Sequence, residues 1–347
     1  MLIERPPEID SRALSLIDWS EVGEDVWADC LEATLRFSRE GKRWSNRFAE
    51  KSIVLLFLNP SLRTRCSMEL AAGQLGAHVT TLQTDAGLWK LCFEDGVRMD
   101  GLEVEHVREA AGVLSAYYDA IGIRVFAGLT DYENDRNDRM LRSFAASSTV
   151  PVVNMESAWA HPCQALADAG VLSSLYPSGC NDKRFVLSWA YHPKALPMAV
   201  PNSTVQMAAR MGFDVTIARP DGYALDPNVM NTASFLAANA GGSIEETTDL
   251  AGACEGAHVI YAKAWAGPLH YEDPASESEL RASNKDWCIT SDLMDSTDGG
   301  KFMHCLPVRR NVVVTDEVLD GQNTLHIHQA TFRIFAQKAI LERCWGG

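Results

Sequence analysis

Two doubly wound, parallel-sheet α/β domains are the fold class that the sequence predicts. Short apolar runs alternate with helical patterns, and the alternation is completed twice in succession. A chain of 347 residues, 46% of them apolar, is long enough to bury two cores.

The first helix is expected over 20–39, "SEVGEDVWADCLEATLRFSR", with Ser20 as N-cap. Buried strands are expected in "SIVLLFL" (52–58), "HVTTLQ" (78–83), "DAIGIRVFA" (119–127) and "TVPVVNM" (149–155). Between the second and third of these, the 101–119 stretch "GLEVEHVREAAGVLSAYYD" puts Val104, Val107, Ala111 and Leu114 on one helical face. A second cycle begins after "LYPSGCNDK", with strands in "FVLSWAY", "DVTIARP", "HVIYAKAW" and "KFMHCLPV". Helical patterns near 201–211, 226–240 and 247–256 separate them, and "ATFRIFAQKAILERCW" (330–345) forms a last helix. The two cycles meet at a helix that starts near His161.

Composition removes several function classes. Net charge is −15, with 46 acidic against 31 basic residues, so the electrostatic footprint of a nucleic-acid binder is missing. A basic cluster in such a chain suits a small anion. "MLIERPPEID" lacks the layout of a secretion signal, and no apolar run reaches membrane-spanning length. Nine cysteines, scattered singly and without CxxC spacing, point to a reducing cytoplasm rather than to a disulfide framework or a structural zinc site. No GxGxxG follows "FVLSWAY", which argues against a nicotinamide oxidoreductase.

Chemistry-bearing residues gather at the ends of the expected strands. In "FLNPSLRTR" (57–65) an apolar run stops at Asn-Pro, and Ser61, Arg63, Thr64 and Arg65 open a helix. Free backbone N–H groups and the positive dipole end attract an anion there, and hydroxyls and a guanidinium complete a phosphate cradle without a glycine-rich loop. A surface ion pair beside a cap explains one arginine but not four such residues in five. Arg124 closes "IGIRVF" and is open to two readings, a buried ion pair or a ligand contact. "NMESAWAHPCQ" supplies Glu156, His161 and Gln164, although a histidine before proline is also an ordinary helix start. "HCLPVRR" supplies Cys305, Leu306, Arg309 and Arg310, with Cys305 either a nucleophile or a buried thiol.

In order and separation, "SLRTR", "HPCQ" and "HCLP" resemble the transcarbamylase family, which includes the aspartate and ornithine carbamoyltransferases. The resemblance spans nearly the whole chain. It implies a carbamoyl-phosphate domain over 1–160, completed by a C-terminal helix at 329–345, and a second-substrate domain over 161–328. It further implies that Ser61, Leu62, Arg63 and Thr64 hold the phosphate together with Arg124. Thr64, Arg124 and His161 would polarise the carbamoyl oxygen, and Gln164 and the Cys305–Leu306 backbone would fix the carbamoyl NH₂. Arg333 in "TFRIF" matches a further family arginine near that substrate. No metal or cofactor is implied.

Within the family, departures point to the N-acylornithine branch. "YAKAW", with Lys263, stands where ornithine enzymes carry a serine-methionine-glycine loop. "WAYHPKALPMAVPNS" replaces a glycine-rich segment, and the 84–101 loop carries Trp89. In that branch Trp89 would complete the carbamoyl-phosphate site of a neighbouring subunit in a homotrimer, and the proline-rich segment would be threaded in a trefoil knot. Acylation removes the α-ammonium charge, leaving a carboxylate and an acyl group for Lys263, Arg309 and His192; Lys194 is a weaker candidate, and packing alone also explains His192. Glu156 would orient the δ-amine. The position that resembles the acyl-reading one holds glutamate in acetyl enzymes and proline in succinyl enzymes, and here it is Val104. A valine does not repel a succinate carboxylate, which favours succinyl. Val313 also replaces a lysine of the acetyl type.

The expected reaction is carbamoyl transfer from carbamoyl phosphate to the δ-amine of an N-acyl-L-ornithine, as in arginine biosynthesis. Two alternatives stand beside it: a carbamoyltransferase for free ornithine or another amine, and a non-catalytic anion-binding paralogue.

Overall fold

The computed structural model describes residues 14–84 and 87–346. Asp85 and Ala86, inside the loop that carries Trp89, lie outside the described residues.

Each half is built on a five-stranded parallel sheet. The first contains β1 (Ser52–Phe57), β2 (His78–Thr84), β3 (Gly87–Leu88), β4 (Ala120–Arg124) and β5 (Val152–Glu156), in the order β3-β2-β1-β4-β5. The second contains β6 (Arg184–Trp189), β7 (Asp214–Ala218), β8 (Ser243–Thr247), β9 (Val259–Lys263) and β10 (Lys301–Met303), in the order β8-β7-β6-β9-β10. Both orders reverse direction at the central strand, so a crevice opens beyond the carboxyl ends of β1 and β4 and of β6 and β9.

Burial explains why these strands read as continuous apolar runs. Ile53 to Phe57 and Phe185 to Trp189 are buried throughout, as helices cover both faces of a parallel sheet. The principal helices are α1 (Glu24–Glu40), α2 (Leu62–Gln74), α3 (Val107–Tyr117), α4 (Tyr132–Arg136), α5 (Arg139–Ser147), α6 (Pro162–Leu175), α7 (Ala199–Arg210), α8 (Pro227–Ala240) and α9 (Leu250–Cys254). Toward the carboxyl end comes α10 (His326–Cys344), which packs on α6, α1 and α2 and so returns to the first sheet's side. Gly170 makes that return possible. A Cβ there would lie 2.7 Å from Phe332 of α10 and 3.0 Å from Thr34 of α1.

Two expectations are corrected, and one strand is added. Ser20 does not cap α1; it sits in a 3₁₀ turn (Trp19–Glu21) whose cap is Asp18, and the helix starts after Gly23. Val104 is not on the face of α3, which begins at Val107 with His106 as N-cap; Val104 is 68% exposed. The edge strand β8, "SIEET", was not anticipated, because an exposed polar strand lacks the apolar signal of its buried neighbours. Among the described residues, no helix is long and apolar enough to cross a membrane.

Candidate active site

Ser61 ends the β1 loop as the N-cap of α2, its hydroxyl accepting from the Thr64 N–H at 3.2 Å. The first turn of α2 carries no acidic residue, which leaves its positive end uncompensated. Arg63 is half-buried and Thr64 fully buried, while the Leu62 side chain is 74% exposed, so only the Leu62 backbone faces the helix end.

Arg124, the last residue of β4, reaches back to this turn. Its Nη1 donates to the carbonyls of Asn59 and Pro60, both at 2.8 Å, and its Nη2 pairs with Glu156 of β5 at 3.0 Å. The guanidinium lies 4.0 Å from the centroid of the Phe126 ring. Asn59 was not foreseen, yet its side chain accepts from the Phe126 N–H at 2.7 Å and ties the two strand ends together. Burial presses the Arg124 pKa down, and Glu156 opposes the shift.

His161 sits at the N-terminus of α6, 2% exposed, with Nε2 3.7 Å from Glu156 Oε2. Burial pushes its pKa well below the usual histidine value, and the charges of Arg333, Arg124, Lys263 and Arg63 push the same way. The imidazole is therefore neutral and able to donate one hydrogen bond. One turn later Gln164 accepts from Arg333 Nη1 at 3.4 Å, and Arg333 Nη2 donates to Thr64 Oγ1 at 2.8 Å. Arg333 thus links α2 and α6 from the far helix α10. The Nε groups of Arg63 and Arg333 and the Nδ1 of His161 are buried without a protein partner.

From the second sheet, β10 leads into His304, Cys305 and Leu306. Leu306 adopts φ 60°, a left-handed conformation that a leucine holds only when its surroundings impose it. Its N–H donates to His304 Nδ1 at 2.8 Å, and the His304 N–H donates to Gln329 Oε1 at 2.9 Å. Burial raises the Cys305 pKa, opposite to what a thiolate nucleophile needs. Lys263 ends β9, and its charge acts on His161, His192, His304 and Cys305. Arg309 Nε donates to His192 Nε2 at 2.9 Å, forming an outlying basic pair.

The structure therefore gathers Ser61, Arg63, Thr64, Arg124, Glu156, His161, Gln164 and Arg333, with the Cys305–Leu306 turn and Lys263 facing them. It does not bring Trp89 and Val104 there within one chain. Trp89 is 57% exposed and donates to Glu105 Oε2 at 2.8 Å. Among the described residues, no cluster of three His, Cys, Asp or Glu could hold a metal ion. A cavity of about 600 Å³ lies elsewhere, between the 91–103 and 125–141 segments, and none of these site residues lines it. Convergent hydrogen-bond donors, rather than cavity size, mark the chemistry.

Two family models match the chain. The carbamoyl-P binding domain of aspartate/ornithine carbamoyltransferase matches residues 15–173, and the Asp/Orn binding domain matches residues 198–344. The N-acetylornithine carbamoyltransferase of Xanthomonas campestris pv. campestris is 41% identical over 330 residues, 94% of this chain and 96% of that protein. The N-succinylornithine carbamoyltransferase of Bacteroides fragilis is 36% identical over 317 residues, 90% of this chain and 94% of that protein. A crystal structure of acetylornithine transcarbamylase complexed with acetylcitrulline superposes with a TM-score of 0.91 at 40% identity, covering 94% of this chain and 98% of that one. The clustered anion-binding residues, the paired parallel sheets and these matches agree: the chain belongs to the aspartate/ornithine carbamoyltransferase family.

Proposed function

We propose that the enzyme carbamoylates the δ-amine of an N-acyl-L-ornithine, and that the gathered residues act as follows. The phosphate of carbamoyl phosphate lies on the α2 N-terminus between Ser61, Arg63, Thr64 and Arg124. The carbonyl oxygen accepts from Thr64, Arg124 and neutral His161, and Arg333 lies behind it. Gln164 Oε1 and the Cys305–Leu306 carbonyls accept from the NH₂. The observation that carries this reading is the bonded circuit from Thr64 through Arg333 to Gln164, with Arg124 tied to the same turn.

In the reaction, the lone pair of the δ-nitrogen attacks the carbamoyl carbon and the carbon–oxygen bond to phosphate breaks. Phosphate leaves with that electron pair and takes the proton the nitrogen loses. The donors face the oxygen where charge develops, and holding both substrates together removes much of the entropic barrier. Glu156, already paired with Arg124, presents its carboxylate to the amine. Lys263 and the His192–Arg309 pair receive the α-carboxylate and the acyl group.

The proposal extends to assembly. Val104 N–H donates to the Lys90 carbonyl at 3.1 Å, and Glu105 holds Trp89, so Trp89 and Val104 move as one unit. In a homotrimer that unit reaches the neighbouring site, Trp89 to the carbamoyl phosphate and Val104 to the acyl tail. Nine free cysteines support a cytoplasmic location. The domain division near residue 160 and a threaded proline-rich segment belong to the same reading.

For the acyl group we favour succinyl over acetyl. Overall identity is higher to the acetyl relative, but it averages the whole chain, whereas acyl choice is local to Val104. The deciding assay runs carbamoyl phosphate with N-succinyl-, N-acetyl- and free ornithine in parallel and measures the citrulline products. Product from the N-acyl substrates alone is expected; efficient use of free ornithine overturns the proposal.

A further inference from the structure

Asp168 lies one turn beyond Gln164 on α6, 0% exposed, and faces away from the cleft behind Gln164 and Gln329 rather than into it. Its Oδ1 accepts from Gln164 Nε2 and from Gln329 Nε2, both at 2.8 Å, and its Oδ2 accepts from the Tyr261 hydroxyl at 3.0 Å. A carboxylate only accepts. Both amides must therefore turn their NH₂ groups toward it and their carbonyls away.

Those two carbonyls point in informative directions. Gln164 Oε1 faces Arg333 and the cleft. Gln329 Oε1 accepts the His304 N–H at 2.9 Å, and His304 Nδ1 in turn accepts the Leu306 N–H, which holds the left-handed turn at Leu306. One buried carboxylate thus sets the sense of two separate arms. The first arm aims an acceptor from α6, and the second fixes the turn that carries the Cys305 and Leu306 carbonyls.

We propose that Asp168 is a positioning residue for ligand selectivity: through Gln164 and Gln329 it aims the acceptors that admit a carbamoyl NH₂ and disfavour an acyl phosphate bearing a methyl group there. The inference rests on the carbamoyl-phosphate site described above. With a methyl in place of NH₂, the oriented carbonyls lose their donors in a buried place, which is where discrimination between near-isosteres is strongest. Without Asp168, either amide is free to rotate its NH₂ into the cleft, and the difference between the two ligands shrinks. Burial raises the Asp168 carboxyl to about 6, while the three donors hold it down, so at neutral pH it is the accepting anion that this arrangement requires.

The test compares three stable probes by calorimetric titration at pH 8. They are phosphonoacetamide, which carries the NH₂; phosphonoacetone, which carries a methyl in its place; and inorganic phosphate, which has neither. Wild type is expected to prefer phosphonoacetamide over phosphonoacetone by about tenfold or more. Asp168→Leu is expected to bring the two within about threefold while inorganic phosphate binds as before, and Asp168→Asn, which keeps an acceptor toward both amides, is expected to restore most of the preference. A merely structural role weakens all three probes together, and that result overturns the proposal, as does an unchanged preference in Asp168→Leu. If Asp168→Leu does not fold, Gln329→Met cuts the second arm alone, and an unchanged preference in that variant overturns the proposal equally. Failure of wild type to bind any of the probes counts instead against the carbamoyl-phosphate site itself.

Discussion

Arg124 and Glu156 meet at 3.0 Å across the carboxyl ends of adjacent strands, with side chains only 6% and 16% exposed. The register between β4 and β5 shifts just there, so that Arg124 lies opposite Glu156. The pair holds the guanidinium at the turn where α2 begins. Arg124→Ala is expected to lower turnover by about 10²–10³-fold, the usual effect of losing one preorganised donor. It also strands a buried carboxylate, so the variant is expected to melt at a lower temperature. Near-normal turnover at saturating substrate sinks the role assigned to Arg124.

In the proposed function Cys305 acts through its backbone, and burial raises the pKa of its thiol. Cys305→Ala is expected to keep turnover within about tenfold of wild type, whereas loss of a covalent nucleophile removes nearly all of it. Steady-state kinetics and resistance to iodoacetamide check this.

His161 and His304 are both buried, and burial pushes both pKa values well below the ordinary histidine value of 6.5. A depressed histidine pKa means the unfolded chain binds the extra proton more readily. Each therefore contributes stability that is present above pH 6.5 and is lost as the pH falls toward its folded value. Asp138 behaves oppositely. Burial raises it from 3.8 to about 7, so its contribution is present below pH 3.8 and is lost as the pH rises through about 7. Melting temperatures of His161→Asn and Asp138→Asn between pH 5 and 8 are expected to diverge from wild type with opposite slopes. Parallel slopes count against this assignment.

Val104→Glu places a carboxylate where the acyl tail is proposed to lie. The kcat/KM ratio of succinyl to acetyl substrate is expected to fall by about tenfold or more, through repulsion of the succinyl carboxylate. An unchanged ratio removes Val104 from acyl recognition.

Mixing Trp89→Ala chains with Arg124→Ala chains tests the proposed trimer. Each variant alone is impaired in this scheme, but a hybrid assembles some sites with Trp89 from one chain and Arg124 from its neighbour. Recovered activity on mixing is expected; none recovered argues that Trp89 does not cross between subunits.

Much of the site was legible because its residues interrupt strong patterns. Asn59-Pro60 breaks an apolar strand, Arg124 ends another, and His161-Pro162 opens a helix that is otherwise buried almost throughout. Other parts carried no such signal. Asp168 falls on a helix whose buried polar and apolar positions have no amphipathic period, and Gln329 lies far away in sequence, so their meeting depends on tertiary packing. The start of α3 was misplaced because Val104 continues the 3.6 period of Val107, Ala111 and Leu114, while His106 supplies the cap. A strand such as Ser243–Thr247, polar and at an edge, looks like a loop until its neighbour pairs with it.

Gly170 admits α10 against α6, and with it Arg333, from a stretch that follows both sheets in chain order. On the ribosome, a nascent chain that has released β1 to β10 but not α10 lacks the guanidinium that joins Thr64 to Gln164. Under the proposed function, the complete anion site is assembled only once the last helix has emerged and packed.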